Sequence, residues 1–168
     1  IVDDALYSKD GTSLEYCFNN SPNFTIASNT VDIKPYAFNS VLLSDIETIT
    51  IPDTVNIIQY GAFNNLSNVK EYIVQSGNSY YKSVDGAIYD TSNDTLVRYP
   101  NQAEGTASIE DGTTAIEEYA FRGCNISDIT IPDSITTIGS SAFMECQYLQ
   151  NVTLNDSLQY IDYQCFKD

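Results

Sequence analysis

The sequence predicts a repeat solenoid: a β-rich, right-handed superhelix of short strands and short helical turns, with two inserted β-hairpins. Three observations predict it. First, Ile129-Thr-Ile131-Pro132-Asp-Ser-Ile135-Thr-Thr-Ile138-Gly139, running on to Ala142-Phe143 and Cys146, has a near twin. The twin is Ile49-Thr-Ile51-Pro52-Asp-Thr-Val55, running on to Ala62-Phe63, at a constant offset of 80 (49 to 129, 63 to 143). Second, Val2-Asp3-Asp4-Ala5-Leu6-Tyr7 returns as Val84-Asp85-Gly86-Ala87-Ile88-Tyr89, offset by 82 (2 to 84, 7 to 89). Third, phenylalanines at 38, 63, 121, 143 and 166 recur at the length of one short repeat, except where the second hairpin intervenes. Each such unit is too small to bury an apolar face alone, and stacking supplies the missing cover.

In chain order, residues 1–20 read as a hairpin, with a turn at Ser8-Lys9-Asp10-Gly11 between Val2–Tyr7 and Leu14–Tyr16. Asp-Gly between alternating apolar runs is a strong hairpin signal. Repeats follow, one running from Phe24 to Ala37-Phe38 and the next through the Ile49–Leu66 copy with Phe63. The second hairpin spans 83–100, with a turn near Asp90–Asp94, and is followed by repeats around Phe121, Phe143 and Phe166. The chain therefore reads as one solenoid of two cassettes, 1–82 and 83–168, each a hairpin plus repeats. Inside a repeat, Ile49 and Ile51, like Ile129 and Ile131, alternate with threonine and suit a strand with one buried face. Pro52 and Pro132 donate nothing to a ladder and mark its end. Ala-Phe with a small residue three positions on suggests one tight helical turn that drives an aromatic ring under the next coil. Phe38, Phe63, Phe121, Phe143 and Phe166 should then form one buried row.

The pattern Ile-x-Ile-Pro-x-Ser-Ile-x-x-Ile-Gly-x-x-Ala-Phe-x-x-Cys at 129–146 resembles the BspA-type leucine-rich repeat. The insert Ser83–Tyr89 with Leu96–Pro100 is similar to the hairpins such proteins carry. Phe38 and Phe63 are followed at the cysteine position by Val41 and Leu66, and Cys165 stands where alanine is usual. All are small or apolar, and the fold expectation stands. The resemblance implies an extracellular or cell-surface solenoid engaged in adhesion or host-matrix binding.

Composition narrows the partners. Of 168 residues, 7 are basic and 23 acidic, with no histidine, for a net charge of −16. Nucleic acid and anionic membrane surfaces both need clustered lysine and arginine, which this chain lacks. No apolar run approaches the roughly 20 residues that cross a bilayer. Ile1-Val2-Asp3-Asp4 has neither the basic start nor the apolar middle of a signal peptide, so a signal has been removed or the chain is part of something longer.

Chemistry-bearing sets are sparse. Cys17, Cys124, Cys146 and Cys165 lack Cys-x-x-Cys spacing, which removes zinc and thioredoxin-type readings. Cys124 and Cys146 fall on adjacent coils, where a disulfide is geometrically conceivable; two reduced, buried thiols are the expectation. Asp3-Asp4 and Glu117-Glu118 read as solvated carboxylates rather than a glycosidase pair. Asp90-x-Ser92-x-Asp94 echoes a calcium loop but has Thr95 and Asn101 where glycine and glutamate belong, and reads as a hairpin tip. No catalytic set, metal site or cofactor is expected.

Two surface features remain open. Tyr7, Tyr80, Tyr81, Tyr89 and Tyr99 cluster about the hairpins, either as contact residues or as filler between hairpin and solenoid. Asn19, Asn23, Asn65, Asn93, Asn125, Asn151 and Asn155 each begin Asn-x-Ser/Thr. In a eukaryotic or archaeal source, Asn93 at a turn, and Asn151 and Asn155 alternating with inward Val152 and Leu154, are the preferred glycan acceptors; in a bacterial source the sequons carry no meaning. The expected function is non-enzymatic binding of a protein or glycan ligand through a solenoid face. The rival is a subunit that stacks head to tail on copies of itself in a filament or surface layer.

Overall fold

The computed structural model describes residues 2–40 and 43–167. In chain order the strands are β1 (Ala5–Tyr7), β2 (Ser13–Cys17), β3 (Asn23–Thr25), β4 (Asp32–Ile33), β5 (Thr48–Ile51) and β6 (Ile57–Ile58). Then come β7 (Glu71–Val74), β8 (Tyr81–Val84), β9 (Ala87–Asp90), β10 (Thr95–Arg98) and β11 (Gly105–Ala107). The last are β12 (Ala115–Ile116), β13 (Ile126–Thr130), β14 (Thr137–Ile138), β15 (Asn151–Thr153) and β16 (Tyr160–Ile161).

They wind into a β-solenoid with two parallel faces. One face holds β3-β5-β7 and β11-β13-β15, with rungs such as Phe24–Ile49–Tyr72 and Ala107–Ile129–Val152 in register. The other face starts at each hairpin: β2 pairs in parallel with β4 and then β6, and β10 with β12, β14 and β16. Leu96, Ile116, Ile138 and Ile161 are one rung row of that face. The strands stay short because Pro52 and Pro132 follow the Ile-x-Ile run and open a turn, with Val55 N donating to Pro52 O and Ile135 N to Pro132 O.

Four expectations need correction: the hairpin's placement, its strand count, the helical turns and the aromatic row. The second hairpin does not lie beside the solenoid. Ile88 and Val97 belong to an apolar cluster that extends back to Ala5, whereas Ala87, Tyr89 and Leu96 belong to one that extends on to Cys165. The β9–β10 pair is thus a wall between two cores, buried on both faces, as its unbroken apolar runs require. Val84–Tyr89 is also not one strand. Asp85 and Gly86, with φ of 50° and 78°, form a two-residue turn between β8 and β9, so this insert has three antiparallel strands.

The short helical turns are likewise absent, and no helix occurs among the described residues. At each Ala-Phe the chain makes a β-turn instead, for example Lys34-Pro35-Tyr36-Ala37, where Ala37 N donates to Lys34 O at 3.1 Å. Its third residue is left-handed in every copy: Tyr36, Gly61, Tyr119, Ser141 and Gln164, with φ of 53–63°. That conformation ends a right-handed helix before it begins and gives the type II pattern, with Pro35 at its favoured second position.

The aromatic row is interrupted. Phe38 and Phe63 lie 5.3 Å apart, and Phe121, Phe143 and Phe166 stack at 4.8 and 5.1 Å. Between the two runs, Tyr72 packs on Phe63 and Tyr99 stacks on Phe121 at 4.6 Å. Phe166 is not buried: it stacks on Phe143 and is 43% exposed. Leu66 takes the cysteine position of its repeat and is buried; Val41, at the same position one repeat earlier, lies outside the described residues, as do Ile1, Leu42 and Asp168.

Candidate functional site: a tyrosine-walled cleft between the two cores

The turn that precedes each Phe stands out from the coil and forms one edge of the solenoid. A hairpin-derived rung has no such turn, since β10 runs from Arg98 straight into Tyr99-Pro100. A gap opens in the row of turns at that rung. One wall is Tyr60 and Asn64, the other is Glu117, Glu118 and Tyr119, and Val97 and Arg98 form the floor.

The rim is aromatic. Tyr60 is 56% exposed and meets Tyr36 of the preceding coil edge to face, centroids 5.5 Å apart at 85°. Tyr36 has to cross over Gly61, where a Cβ would fall 2.9 Å from its ring. On the far wall, the Arg122 guanidinium lies over the Tyr119 ring, 5.6 Å from its centroid, and forms a two-pronged ion pair with Glu145 at 3.0 and 3.2 Å. Burial, then Tyr60 and Glu118, raise the Tyr36 phenol; burial, then Glu118, raise that of Tyr119. Glu118 therefore stands among these rings, and it is exposed.

The floor is polar and mostly satisfied. Arg98 is buried without a carboxylate partner, and donates to Tyr119 O at 2.6 Å, Arg122 O at 3.1 Å and Asn101 Oδ1 at 3.2 Å. Asn64 is also buried, and its Nδ2 has no acceptor among the described residues. Burial, followed by the Asp90 charge, pushes the Glu117 carboxyl up to about 7. The expectation of two solvated carboxylates therefore holds for Glu118 and fails for Glu117, which the cleft wall half encloses. Among the described residues no group of three or more His, Cys, Asp or Glu is placed to hold a metal ion.

The BspA type leucine rich repeat region model matches residues 12–104 and 114–168 in six copies. The chain belongs to that family. No curated protein matches it. Among solved structures, a leucine rich cell surface protein from Faecalibacterium prausnitzii is similar at a TM-score of 0.66 and 23% identity, covering 81% of this chain and 42% of its own. The pneumococcal vaccine antigen PcpA gives 0.64 and 19%, covering 81% and 39%. A leucine-rich repeat protein from Eubacterium ventriosum gives 0.58 and 22%, covering 84% and 44%. This BspA-type chain spans about two fifths of the length of each.

The other residues singled out from the sequence sit apart from the cleft. In this BspA-type solenoid the hairpin tyrosines are filler: Tyr7, Tyr81, Tyr89 and Tyr99 each accept a backbone N–H, from Ala27, Ile58, Glu110 and Ser108. Only Tyr80 of that set is exposed. The cleft tyrosines were missed, although Pro35-Tyr36, Tyr60-Gly61 and Tyr119 all fall just before Ala-Phe, a position the repeat itself turns outward. None of the four cysteines is in a disulfide. Cys124 and Cys146 approach the carbonyls of Tyr99 and Phe121, at 3.7 and 3.0 Å. Burial pushes the Cys124 thiol up to about 12.

The sequons divide by what their amides already do. Asn155 Nδ2 donates to Pro132 O and to Ile135 O, using both hydrogens, so it does not simply point outward. Asn151 donates to Asp128, Asn19 to Asp3 O and Asn65 to Asn39. Asn23 and Asn93 are exposed and Asn125 half-exposed, and the described residues give none of the three a side-chain hydrogen bond. At Asp90–Asp94, Ser92 N and Oγ donate to Asp90 at 2.7 and 2.6 Å, closing a hairpin tip.

Proposed function

We propose that this chain is a non-enzymatic, extracellular or cell-surface interaction protein that holds a protein or glycan ligand at the tyrosine-lined turn edge. The observation that carries it is the Tyr36–Tyr60 pair, left exposed beside a gap in the turn row. Rigid rings with a polar tip gain contact area at little entropic cost, which is why tyrosine recurs at contact surfaces. The surface location is supported by family membership and by the name of the Faecalibacterium protein. Adhesion is the finer form of this proposal. Division into cassettes 1–82 and 83–168 belongs to the same reading and is supported by the two apolar clusters that meet at β9–β10. Asn93 and Asn23 are the proposed glycan acceptors, with Asn151 and Asn155 demoted by their hydrogen bonds.

Polystyrene beads coated with the protein, settled on plates of extracellular-matrix extract and washed under flow, test adhesion. Beads should be retained, and Tyr60→Ala should lower retention. Retention no better than with an equally acidic unrelated protein rejects adhesion. A second reading is head-to-tail assembly, supported by the parallel rungs that already stack coil on coil along both faces. Sedimentation that stays monomeric at high protein concentration rejects it.

A further inference from the structure

We infer that the cleft between Tyr60 and Tyr119 receives an arginine-bearing segment of a basic partner protein, a specification that rests on the interaction reading above. The first ground is charge. Of 7 basic residues, Lys34, Lys70, Lys82 and Arg122 are in ion pairs and Arg98 is buried on neutral oxygens, which leaves Lys9 and Lys167 without an ion pair among the described residues. Against 23 acidic residues, a partner that carries exposed cations is the electrostatic complement of this surface.

The second ground is a template inside the chain. Arg122 lies over the Tyr119 ring while its fork meets the Glu145 carboxylate, so ring, guanidinium and carboxylate stand together. One coil back, Tyr36, Tyr60 and Glu118 supply rings and a carboxylate, and no cation of the described residues lies over either ring of that pair. Rings set edge to face at 85° still offer a π-face to a cation. Glu118 forms no ion pair among the described residues. Arginine fits better than lysine because its planar fork stacks on a ring and meets a carboxylate at once.

The third ground is Asn64. Its buried amide nitrogen lines the cleft and lacks an acceptor among the described residues. A buried donor left unsatisfied is destabilising, and a peptide carbonyl entering with the arginine would satisfy it. Rings, carboxylate and amide donor together suit a peptide segment rather than a bare cation.

The probe is a fluorescein-labelled peptide with three arginines spaced by Gly-Ser pairs, followed by anisotropy at about 150 mM salt, where diffuse surface attraction is screened. Binding should saturate. Tyr60→Ala, which leaves the net charge unchanged, should weaken it about tenfold, and Tyr60→Phe should restore most of it. Glu118→Gln should weaken it several-fold, and Asp133→Asn, the same charge change on another edge, should not. Melting curves of each variant establish that it folds. Equal losses from Glu118→Gln and Asp133→Asn would show only diffuse attraction. Indifference to Tyr60→Ala, or equal binding of an uncharged Gly-Ser peptide, overturns the inference. Tyr60-dependent displacement of the peptide by maltoheptaose makes the cleft a glycan site and overturns it too. Bead retention without peptide binding rejects this inference alone; peptide binding without bead retention rejects adhesion alone.

Discussion

Replacing Arg98 by methionine and by alanine separates what its charge does from what its volume does. The guanidinium is 3% exposed and is held by Tyr119 O, Arg122 O, Asn101 Oδ1 and, at 3.4 Å, Tyr72 Oη. Hydrogen bonds to a charged group contribute about 1.5–3 kcal/mol each. Burying an ion costs several kcal/mol, so the two effects largely offset. The Tyr119 and Arg122 carbonyls each keep a second donor, Arg122 N and Asn101 Nδ2, both at 3.0 Å. Methionine fills most of the space and orphans Asn101 Oδ1 and the buried Tyr72 hydroxyl, for an expected loss of about 1–3 kcal/mol per orphaned group, less the relief of the buried charge. Alanine also leaves a void, which adds about 2 kcal/mol. Urea unfolding followed by circular dichroism should rank parent above Arg98→Met above Arg98→Ala. A methionine variant as stable as the parent, or two variants that unfold together, would refute the separation.

Four further outcomes follow from the same structure. Phe143→Ala, which removes a buried ring stacked on both sides, should cost about 3–5 kcal/mol, and Phe166→Ala, covered on one side, roughly half that; equal losses in thermal melts would contradict the exposure of Phe166. A Cβ at Gly139 would fall 2.6 Å from Glu118 N and 2.8 Å from Glu117 C, backbone atoms of the neighbouring coil, so Gly139→Ala should cost about 2–3 kcal/mol; an unchanged melting point would mean the coils slide apart freely. Glu117 binds its proton up to about pH 7 when folded but to about 4.5 when unfolded, so the parent should lose stability as pH rises through that window. At about 1.4 kcal/mol per pH unit the loss is at most about 3 kcal/mol, and Glu117→Gln should abolish it, whereas parallel urea midpoints from pH 5 to 8.5 would place the carboxyl in solvent. Iodoacetamide at pH 8 should leave Cys124 and Cys146 unmodified in the native protein and label both in urea, read by intact mass; no label in either condition would reveal a disulfide.

What the sequence disclosed and what it hid have physical causes. The Ile-x-Ile, Pro and Ala-Phe pattern was legible because every coil must place the same groups at the same angle, which leaves a repeated residue at each inward point. The wall role of β9–β10 stayed hidden, although Ala87-Ile88-Tyr89 and Leu96-Val97 are unbroken apolar runs, the mark of a strand covered on both sides. Asp85-Gly86 is itself a hairpin signal, overlooked because its twin, Asp3-Asp4, lacks the glycine; both pairs are left-handed. The helical turns failed because position −2 from each Phe holds Tyr, Gly, Ser or Gln, and only the glycine announces a left-handed residue. Of the cleft, Glu117 and Glu118 drew attention as a pair, but the gap between them and Tyr60 exists only because a hairpin rung lacks a turn, a spatial relation that no local pattern encodes.

That shared wall also has a mechanical meaning. A solenoid pulled by its two ends is loaded across its rungs, and its parallel coils would peel away singly from a free end at modest force. At β9–β10 the peeling front meets three antiparallel strands whose side chains are anchored in both cores. To pass it, both cores must open at once. A tether built of such cassettes would yield in steps, each ending at a hairpin, and would shed the coils of one cassette while its neighbour stayed wound.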